Sequence, residues 1–174
     1  MNDREKKILL SLAKNTIAKR LSLPYEEIDA SMFNEKSGAF VTLKDKGRLR
    51  GCIGNIFAIK PLYQEIIDLS FEAAFEDYRF SPITKEEFPY INIEISVLTE
   101  PKLINHISEF ELSRDGIILT VDYHRSVFLP QVADETGWNK DELLTALSHK
   151  AGLDSEAYKR DDAQFMTFQA EVFS

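Results

Sequence analysis

The sequence has few of the residues from which disulfide-linked or metal-held scaffolds are built. Its 174 residues include one cysteine, Cys52, and three histidines. One cysteine excludes an internal disulfide, and no cysteine and histidine cluster has the spacing of a zinc site. No apolar run reaches the roughly 18 residues that a membrane-spanning helix needs. These absences exclude disulfide-rich, zinc-binding and membrane-spanning classes of protein, and we expect no metal or other cofactor.

Positive charge is also scarce. Acidic residues outnumber basic residues by 29 to 21, which gives a formal net charge of −8. Nucleic acids and anionic membranes bind to positively charged surfaces, so this balance argues against a general nucleic-acid or membrane binder, although it leaves room for a local basic pocket. The N-terminus, MNDREKKILLSLAKN, lacks the apolar segment and cleavage site of a signal peptide. We therefore expect a cytoplasmic protein.

The hydrophobic pattern predicts a mixture of helices and strands. Apolar residues recur at helical spacing in DREKKILLSLAKNTIAKRL, in PLYQEIIDLSFEAAFE and in NKDELLTALSHKAGL. Thr84 and Glu87 have capping-box spacing and predict one more short helix. Strands are predicted in GAFVTL, LRGCIGNI, YINIEISVL and FMTFQAEVF. Because strands and helices do not alternate regularly, we expect an α+β fold in which these four strands share one antiparallel sheet.

The stretch LRGCIG, which we call the motif, contains the single cysteine between two glycines. Alternation along a strand places Arg50, Cys52 and Gly54 on one face, and Leu49, Gly51 and Ile53 on the other. A guanidinium near the sulfur favours the thiolate. Glycines inside a strand indicate a bulge or the close approach of a ligand or of another backbone. Free cysteine is also a common buried residue, so a packed, unreactive thiol is the alternative, and the residues alone favour it.

Other polar residues allow two interpretations each. A cysteine nucleophile needs a base, and nothing in the sequence places a histidine beside Cys52. The three histidines are expected at the surface: His106, His124 and His149. Asp77 and Arg79 follow an apolar helix in the turn DYRF. They are able to hold the charged groups of a ligand, or to pair with each other and close the helix end, and a structural role is favoured.

The motif and the segments around it resemble a known family. LRGCIG is the hallmark of the AMMECR-type domain, whose prokaryotic members are assigned to protein A of the AmmeMemoRadiSam system. The resemblance continues through FVTL, DYRFSPIT, IEISVL, FLPQVADETGW and KAGL in family order and covers nearly the whole chain. Two departures are small. Asp115 precedes Gly116 where relatives often have histidine, and Tyr158 replaces a common tryptophan.

The resemblance implies a single AMMECR-type domain over residues 1–174, made of two unequal lobes that each contain an antiparallel sheet flanked by helices. We expect a larger lobe over 1–105 and 162–174, a smaller lobe over 106–161, and a cleft between them. A small molecule or a modified residue is expected to bind near the motif, where Cys52 is the candidate catalytic nucleophile. The expected ligand-binding residues are Arg50, Gly51, Gly54, Asp77 and Arg79.

The resemblance also implies partners but no particular reaction. Relatives occur together with a Memo-like protein, which resembles non-haem iron dioxygenases, and with a radical SAM enzyme. The alternative to a small-molecule site is therefore a non-catalytic accessory module that binds the Memo-like protein. An RNA-binding regulator is disfavoured by the net charge of −8. Accessibility of Cys52, and the presence of a polar partner for its sulfur, distinguishes a ligand-binding thiol from a packed one. A packed thiol stays the favoured outcome, and Arg50 would then be the functional residue, holding an anionic ligand or a neighbouring carboxylate across the cleft.

Overall fold

A computed structural model describes all residues from 1 to 174 and contains four α-helices and eight strands. The strands form two antiparallel sheets with the orders β2-β1-β3-β8 and β4-β7-β5-β6. The predicted α+β class is therefore confirmed. The helices are α1 Asp3–Arg20, α2 Leu62–Phe75, α3 Val132–Thr136 and α4 Lys140–Lys150. The strands are β1 Ala39–Asp45, β2 Arg48–Asn55, β3 Ile91–Leu98, β4 Lys102–Ile104, β5 Gly116–Val121, β6 His124–Phe128, β7 Gln164–Phe168 and β8 Ala170–Phe173.

The chain divides into two compact units. The first unit comprises Met1–Leu98 and Glu171–Ser174, and the second comprises Thr99–Ala170. Each unit has its own hydrophobic core, the first between α1, α2 and β1–β3, and the second around β5 and α4. None of the helices combines the length and the apolarity needed to cross a membrane.

In the first unit, two helices cover one face of the sheet. Ala39, Val41 and Leu43 point from β1 toward this face and are fully buried. The predicted apolar sides of both helices are confirmed, because every one of these residues is buried: Leu9, Leu12, Ala13 and Ile17 in α1, and Leu62, Ile66, Leu69 and Ala73 in α2. β1 and β2 form the predicted hairpin, and Lys46 and Gly47 turn between them with positive φ angles of 50° and 79°.

In the second unit, α4 has the predicted cap. The side chain of Asn139 accepts the backbone N–H of Glu142, whose carboxylate accepts the N–H of Asn139. The helix ends at Lys150, and Gly152 follows with a φ of 80°, where a residue without a side chain is least strained. Leu143, Leu144 and Leu147 of this helix are buried in the core of the second unit.

Two predictions about secondary structure are wrong. FMTFQAEVF is not one strand, because the chain leaves β7 at Gln169, which exchanges hydrogen bonds with Thr99, and β8 then joins the other sheet. Thr84 and Glu87 form their reciprocal capping bonds, but only a short 3-10 turn follows, at Phe88–Tyr90. Pro89 lies in that turn and has no N–H to donate, which removes one of the bonds an α-helix would need.

Candidate functional site

The motif lies on β2, which is an edge strand with a bulge. Leu43 pairs with Gly51 but Lys44 pairs with Leu49, so Arg50 has no partner in β1. The extra residue reverses the alternation of side chains on either side of it. Leu49 therefore lies on the same face as Lys44 and is exposed. The prediction that Leu49 shares a face with Gly51 and Ile53 is wrong for this reason.

Cys52 is half-buried and has a polar partner. It lies opposite Thr42 of β1, and its Sγ is 3.2 Å from the Thr42 Oγ1. The backbone N–H and C=O of Cys52 point away from β1, so the two residues form a non-hydrogen-bonded pair, in which side chains approach most closely. The sulfur therefore has a polar neighbour and does not lie among apolar side chains alone.

Asp77 and Arg79 bind the backbone of Cys52 from the open edge of the sheet. Asp77 Oδ2 accepts the Cys52 N–H at 2.9 Å, and Arg79 Nη2 donates to the Cys52 C=O at 3.1 Å. The two side chains also bind each other, with Arg79 Nε 2.9 Å from Asp77 Oδ1 and Nη2 2.7 Å from Oδ2. We call this arrangement the clasp. It supplies the hydrogen bonds that a neighbouring strand would give to Cys52.

The clasp has a strong electrostatic component. The hydrogen bonds from the Arg79 side chain outweigh the effect of burial and, with the bond from the Cys52 N–H, hold the pKa of Asp77 well below its usual range. Asp77 is almost fully buried, whereas 44% of the Arg79 side chain is exposed. The carboxylate is therefore a fixed internal anchor, and the guanidinium is the part of the clasp that meets solvent.

Arg50 binds a carboxylate of its own chain. Its Nε and Nη2 lie 3.0 and 3.2 Å from the two carboxylate oxygens of Glu87, and this bond lowers the pKa of Glu87. Glu87 also accepts the N–H of Thr84, so one side chain closes the turn and holds the arginine. Arg50 and Arg79 both lie against the ring of Phe80, 5.9 and 5.5 Å from its centroid.

The two motif glycines lie against other parts of the first unit. A Cβ added to Gly51 would be 2.1 Å from the backbone oxygen of Ala73 in α2. A Cβ added to Gly54 would be 2.2 Å from the ring of Phe40. The space beside each backbone is thus occupied by a helix and by an aromatic ring, while a ligand-binding role of these glycines stays a prediction.

Sequence reasoning missed three polar residues near the motif: Thr42, Glu65 and Glu87. Glu65 of α2 is almost fully buried, and its Oε2 accepts the side-chain N–H of Asn55 at 2.8 Å, while its Oε1 has no partner. From Gly51 to Asn55 the strand spans about 13 Å, and from Ala73 to Glu65 the helix spans about 12 Å, so α2 runs along β2 and contacts it at both ends. The sequence does contain a signal for Glu65, because a carboxylate on the apolar side of a helix is unusual.

The predicted histidine and metal assignments have simple outcomes. His106, His124 and His149 are all exposed, as predicted, and none of them is hydrogen-bonded to Cys52. Nowhere in the chain do three histidine, cysteine, aspartate or glutamate side chains converge in a way that would hold a metal ion.

Comparison with known proteins places the chain in a family. The AMMECR1 family model matches residues 10–173. A protein of Methanothermobacter thermautotrophicus is 38% identical over 162 residues, covering 90% of this chain and 83% of its own, and protein MJ0810 of Methanocaldococcus jannaschii is 40% identical over 151 residues, covering 82% and 75%. The crystal structure of the uncharacterized protein PH0010 from Pyrococcus horikoshii superposes with a TM-score of 0.87 at 32% identity, covering 99% of this chain and 92% of that one. The chain belongs to the AMMECR1 family.

Proposed function

We propose that this AMMECR1-family protein binds a small molecule or a modified residue beside Cys52 of the motif strand. The observation that carries the proposal is the half-buried thiol with the Thr42 hydroxyl 3.2 Å from its sulfur. A thiol that is reachable and has a polar neighbour is able to contact a ligand, whereas a sealed one only fills space. If the bound group is electrophilic, the Cys52 thiolate is the nucleophile that would attack it.

The backbone around the thiol is held at several points, which supports the proposal. The clasp fixes the N–H and C=O of Cys52, and the α2 backbone packs directly on Gly51. A site whose groups are already fixed loses less conformational freedom when a ligand binds, so more of the interaction energy contributes to affinity. The strand is therefore suited to present Cys52 and Thr42 in a constant geometry.

The proposal is tested by alkylation of the native protein, because Cys52 is the one thiol in the chain. We expect iodoacetamide to modify the folded protein, as measured by intact mass. We also expect some members of a small-molecule library to slow the modification by occupying the site. Modification only after unfolding would contradict the proposal, because it would mean that the thiol is packed.

The accessory-module alternative is favoured by one observation. Tyr78, which lies between the two clasp residues, is 95% exposed, and exposed aromatic side chains are common anchors of protein interfaces. In co-purification with the Memo-like protein, Tyr78→Ala would reduce partner capture if this surface binds it. The matched control is Tyr123→Ala, because Tyr123 is also fully exposed but lies in the second unit. Equal capture by both variants would contradict the alternative.

A further inference from the structure

We infer that the ligand bound beside Cys52 carries an anionic group, a carboxylate or a phosphoryl group, and that Nη1 of Arg79 binds it. This inference rests on the proposed function and adds the chemical class of the ligand and the atom that recognises it. It rests on the hydrogen-bond donors of the four arginines that bind a carboxylate through Nε and Nη2: Arg50, Arg79, Arg114 and Arg160.

Arg79 has five N–H donors, and its own chain uses three of them. Nε donates to Asp77 Oδ1, and Nη2 donates to Asp77 Oδ2 and to the Cys52 C=O. Nη1 makes no hydrogen bond, and 44% of the side chain is exposed. Two charged N–H donors are therefore free on the guanidinium that binds the backbone of Cys52, and this guanidinium cannot turn away without breaking the clasp.

The other three arginines differ from Arg79 in their free donors, in their exposure or in their distance along the chain from the motif. Arg114 binds Asp115 through Nε and Nη2 in the same way, but its Nη1 donates to Glu111. Arg50 leaves its Nη1 unbonded, but only 13% of that side chain is exposed. Arg160 binds Asp162 without using its Nη1 and is 45% exposed, but it lies in the second unit. Arg79 is the one arginine of the four that combines an unused Nη1 and an exposed side chain with a hydrogen bond to the backbone of Cys52.

The charges around the clasp define what is recognised. Asp77 neutralises most of the Arg79 charge, and the chain as a whole is negative, so distant anions are not attracted to this surface. An anionic group has to reach Nη1 and form a charge-assisted hydrogen bond, which is short-ranged and directional. The ligand is therefore a molecule that places one anionic group at Arg79 while another part of it contacts Cys52.

Two alkylating reagents test this directly. Iodoacetamide is neutral and iodoacetate carries a carboxylate, but both react with Cys52 in the same way: the thiolate sulfur forms a bond to carbon, the carbon–iodine bond breaks, iodide leaves, and the thiol proton goes to the buffer. Both rates depend in the same way on the reactivity of the thiol. The ratio of the iodoacetate rate to the iodoacetamide rate therefore reports the effect of the carboxylate charge of the reagent. We expect Arg79→Met to lower this ratio at least about threefold at low ionic strength, where charges a few Å apart are least screened.

The matched control is Arg114→Met, which makes the same change in net charge at a pair of the same geometry in the second unit. We expect its ratio to equal that of the unmodified protein. If Arg79→Met does not fold, Asp77→Asn compared with Asp115→Asn keeps the test. Removing the charge that neutralises Arg79 should raise the ratio, and removing the charge that neutralises Arg114 should not. Equal ratios in the two members of a pair would overturn the inference.

Inorganic phosphate and acetate, compared with chloride at equal ionic strength, distinguish the two chemistries. Stronger inhibition of iodoacetate alkylation by phosphate assigns a phosphoryl ligand, and stronger inhibition by acetate assigns a carboxylate. Inhibition no greater than that by chloride would overturn the inference. The outcome also separates it from the proposed function, since a native protein that reacts with neither reagent contradicts the function, whereas equal ratios contradict only the anionic class.

Discussion

Asp77 in the first unit and Asp115 in the second are both almost fully buried, and each binds a half-exposed arginine through two parallel hydrogen bonds. The bond lengths are 2.9 and 2.7 Å from Arg79 to Asp77, and 2.8 and 2.6 Å from Arg114 to Asp115. The side chains of Arg79 and Arg114 are 44% and 49% exposed. In composition, burial and geometry the two pairs are nearly equivalent.

The pairs differ in what else the aspartate binds. Asp115 accepts the N–H of Glu111, four residues before it, which closes a local turn, and its Oδ1 also accepts a side-chain N–H of Gln169 at 3.5 Å. Asp77 accepts the N–H of Cys52, which is 25 residues before it and lies on another element. The same chemistry therefore stabilises a turn in one unit and fixes the backbone of the motif strand in the other. The clasp is therefore not only a turn motif, because it joins the turn after α2 to the motif strand.

Gly51 in the first unit and Gly116 in the second differ in what fills the space beside them. The space beside Gly51 is filled by the backbone of α2, 2.1 Å from an added Cβ, whereas the space beside Gly116 is filled by the ring of Phe168. A side-chain ring is able to shift, but the backbone of a packed helix moves only with the whole helix. The motif strand β2 is therefore more tightly constrained at Gly51 than β5 is at Gly116.

The largest loss of stability is expected where an added side chain would collide with α2. Gly51→Val should destabilise the first unit by about 3 kcal/mol or more, because overpacking against a rigid backbone has no cheap relief. Gly54→Val should also cost more than Cys52→Ala, since it forces the Phe40 ring out of place. Chemical denaturation of the three variants, with Gly116→Ala as the control in the second unit, measures the difference. A loss for Gly51→Val no larger than that for Cys52→Ala would mean that the contact with α2 is incidental.

The next largest effect is the loss of stability when either buried aspartate, Asp77 or Asp115, is replaced by alanine. Asp77→Ala should cost about 2 to 3 kcal/mol, since it leaves the Cys52 N–H and Arg79 without their partner, and Asp115→Ala about 1 to 2 kcal/mol, since a local turn is rehydrated more easily. Amide hydrogen exchange makes the test specific. Exchange at Cys52 should accelerate only in the first variant, and exchange at Glu111 only in the second. Unchanged exchange at Cys52 would show that the clasp does not protect that bond.

Much of the fold was predictable because local rules and packing agree. The helices α1, α2 and α4 carry their apolar residues at helical spacing, and Asn139 marks the start of α4. The break at Gln169 was not predictable, because the alternation of apolar residues continues across it while the chain passes from one sheet to the other. Hydrophobic periodicity reports that a strand has a buried face, but not which sheet it joins.

The site was less predictable, because main-chain atoms form much of it. The sequence placed Asp77 and Arg79 in a turn and allowed them to pair, but no pattern marks the Cys52 backbone as their partner. The glycines of LRGCIG allow a bulge, but nothing in the motif places it at Arg50, since both glycines are also explained by close packing. Contacts between a side chain and a distant backbone depend on tertiary structure that residue spacing does not encode.

A smaller effect follows from the low pKa of Asp77. A carboxyl group whose pKa is lowered on folding stabilises the protein above its unfolded pKa, near 4, and this contribution is lost as the pH falls through the folded value. The free energy of unfolding should therefore fall between pH 4 and pH 2.5, and Asp77→Asn should reduce that slope by at most about 1.4 kcal/mol per pH unit. Urea denaturation at several pH values measures it. Parallel curves for the variant and the unmodified protein would contradict the assignment.

The smallest expected effect concerns Arg50, which is the one charged residue of the motif. Its guanidinium binds Glu87 at 3.0 and 3.2 Å, and no hydrogen bond joins it to the sulfur. Arg50→Ala should cost about 1 kcal/mol, because Glu87, the partner it leaves behind, is 37% exposed and is rehydrated by solvent. The rate of Cys52 alkylation by iodoacetamide should stay within about twofold of the unmodified protein, since a neutralised guanidinium has little effect on a nearby thiol.

Glu87→Gln is the matched control for that variant, because it keeps Arg50 in place and removes only the charge that neutralises it. An unpaired guanidinium near the thiol favours the thiolate, so Glu87→Gln should accelerate alkylation at neutral pH while Arg50→Ala does not slow it. The alkylation rates of these two variants show whether Arg50 affects the reactivity of Cys52. If Arg50→Ala abolishes rapid alkylation, Arg50 activates Cys52 itself, and the contrast between a structural Arg50 and a ligand-binding Arg79 is wrong.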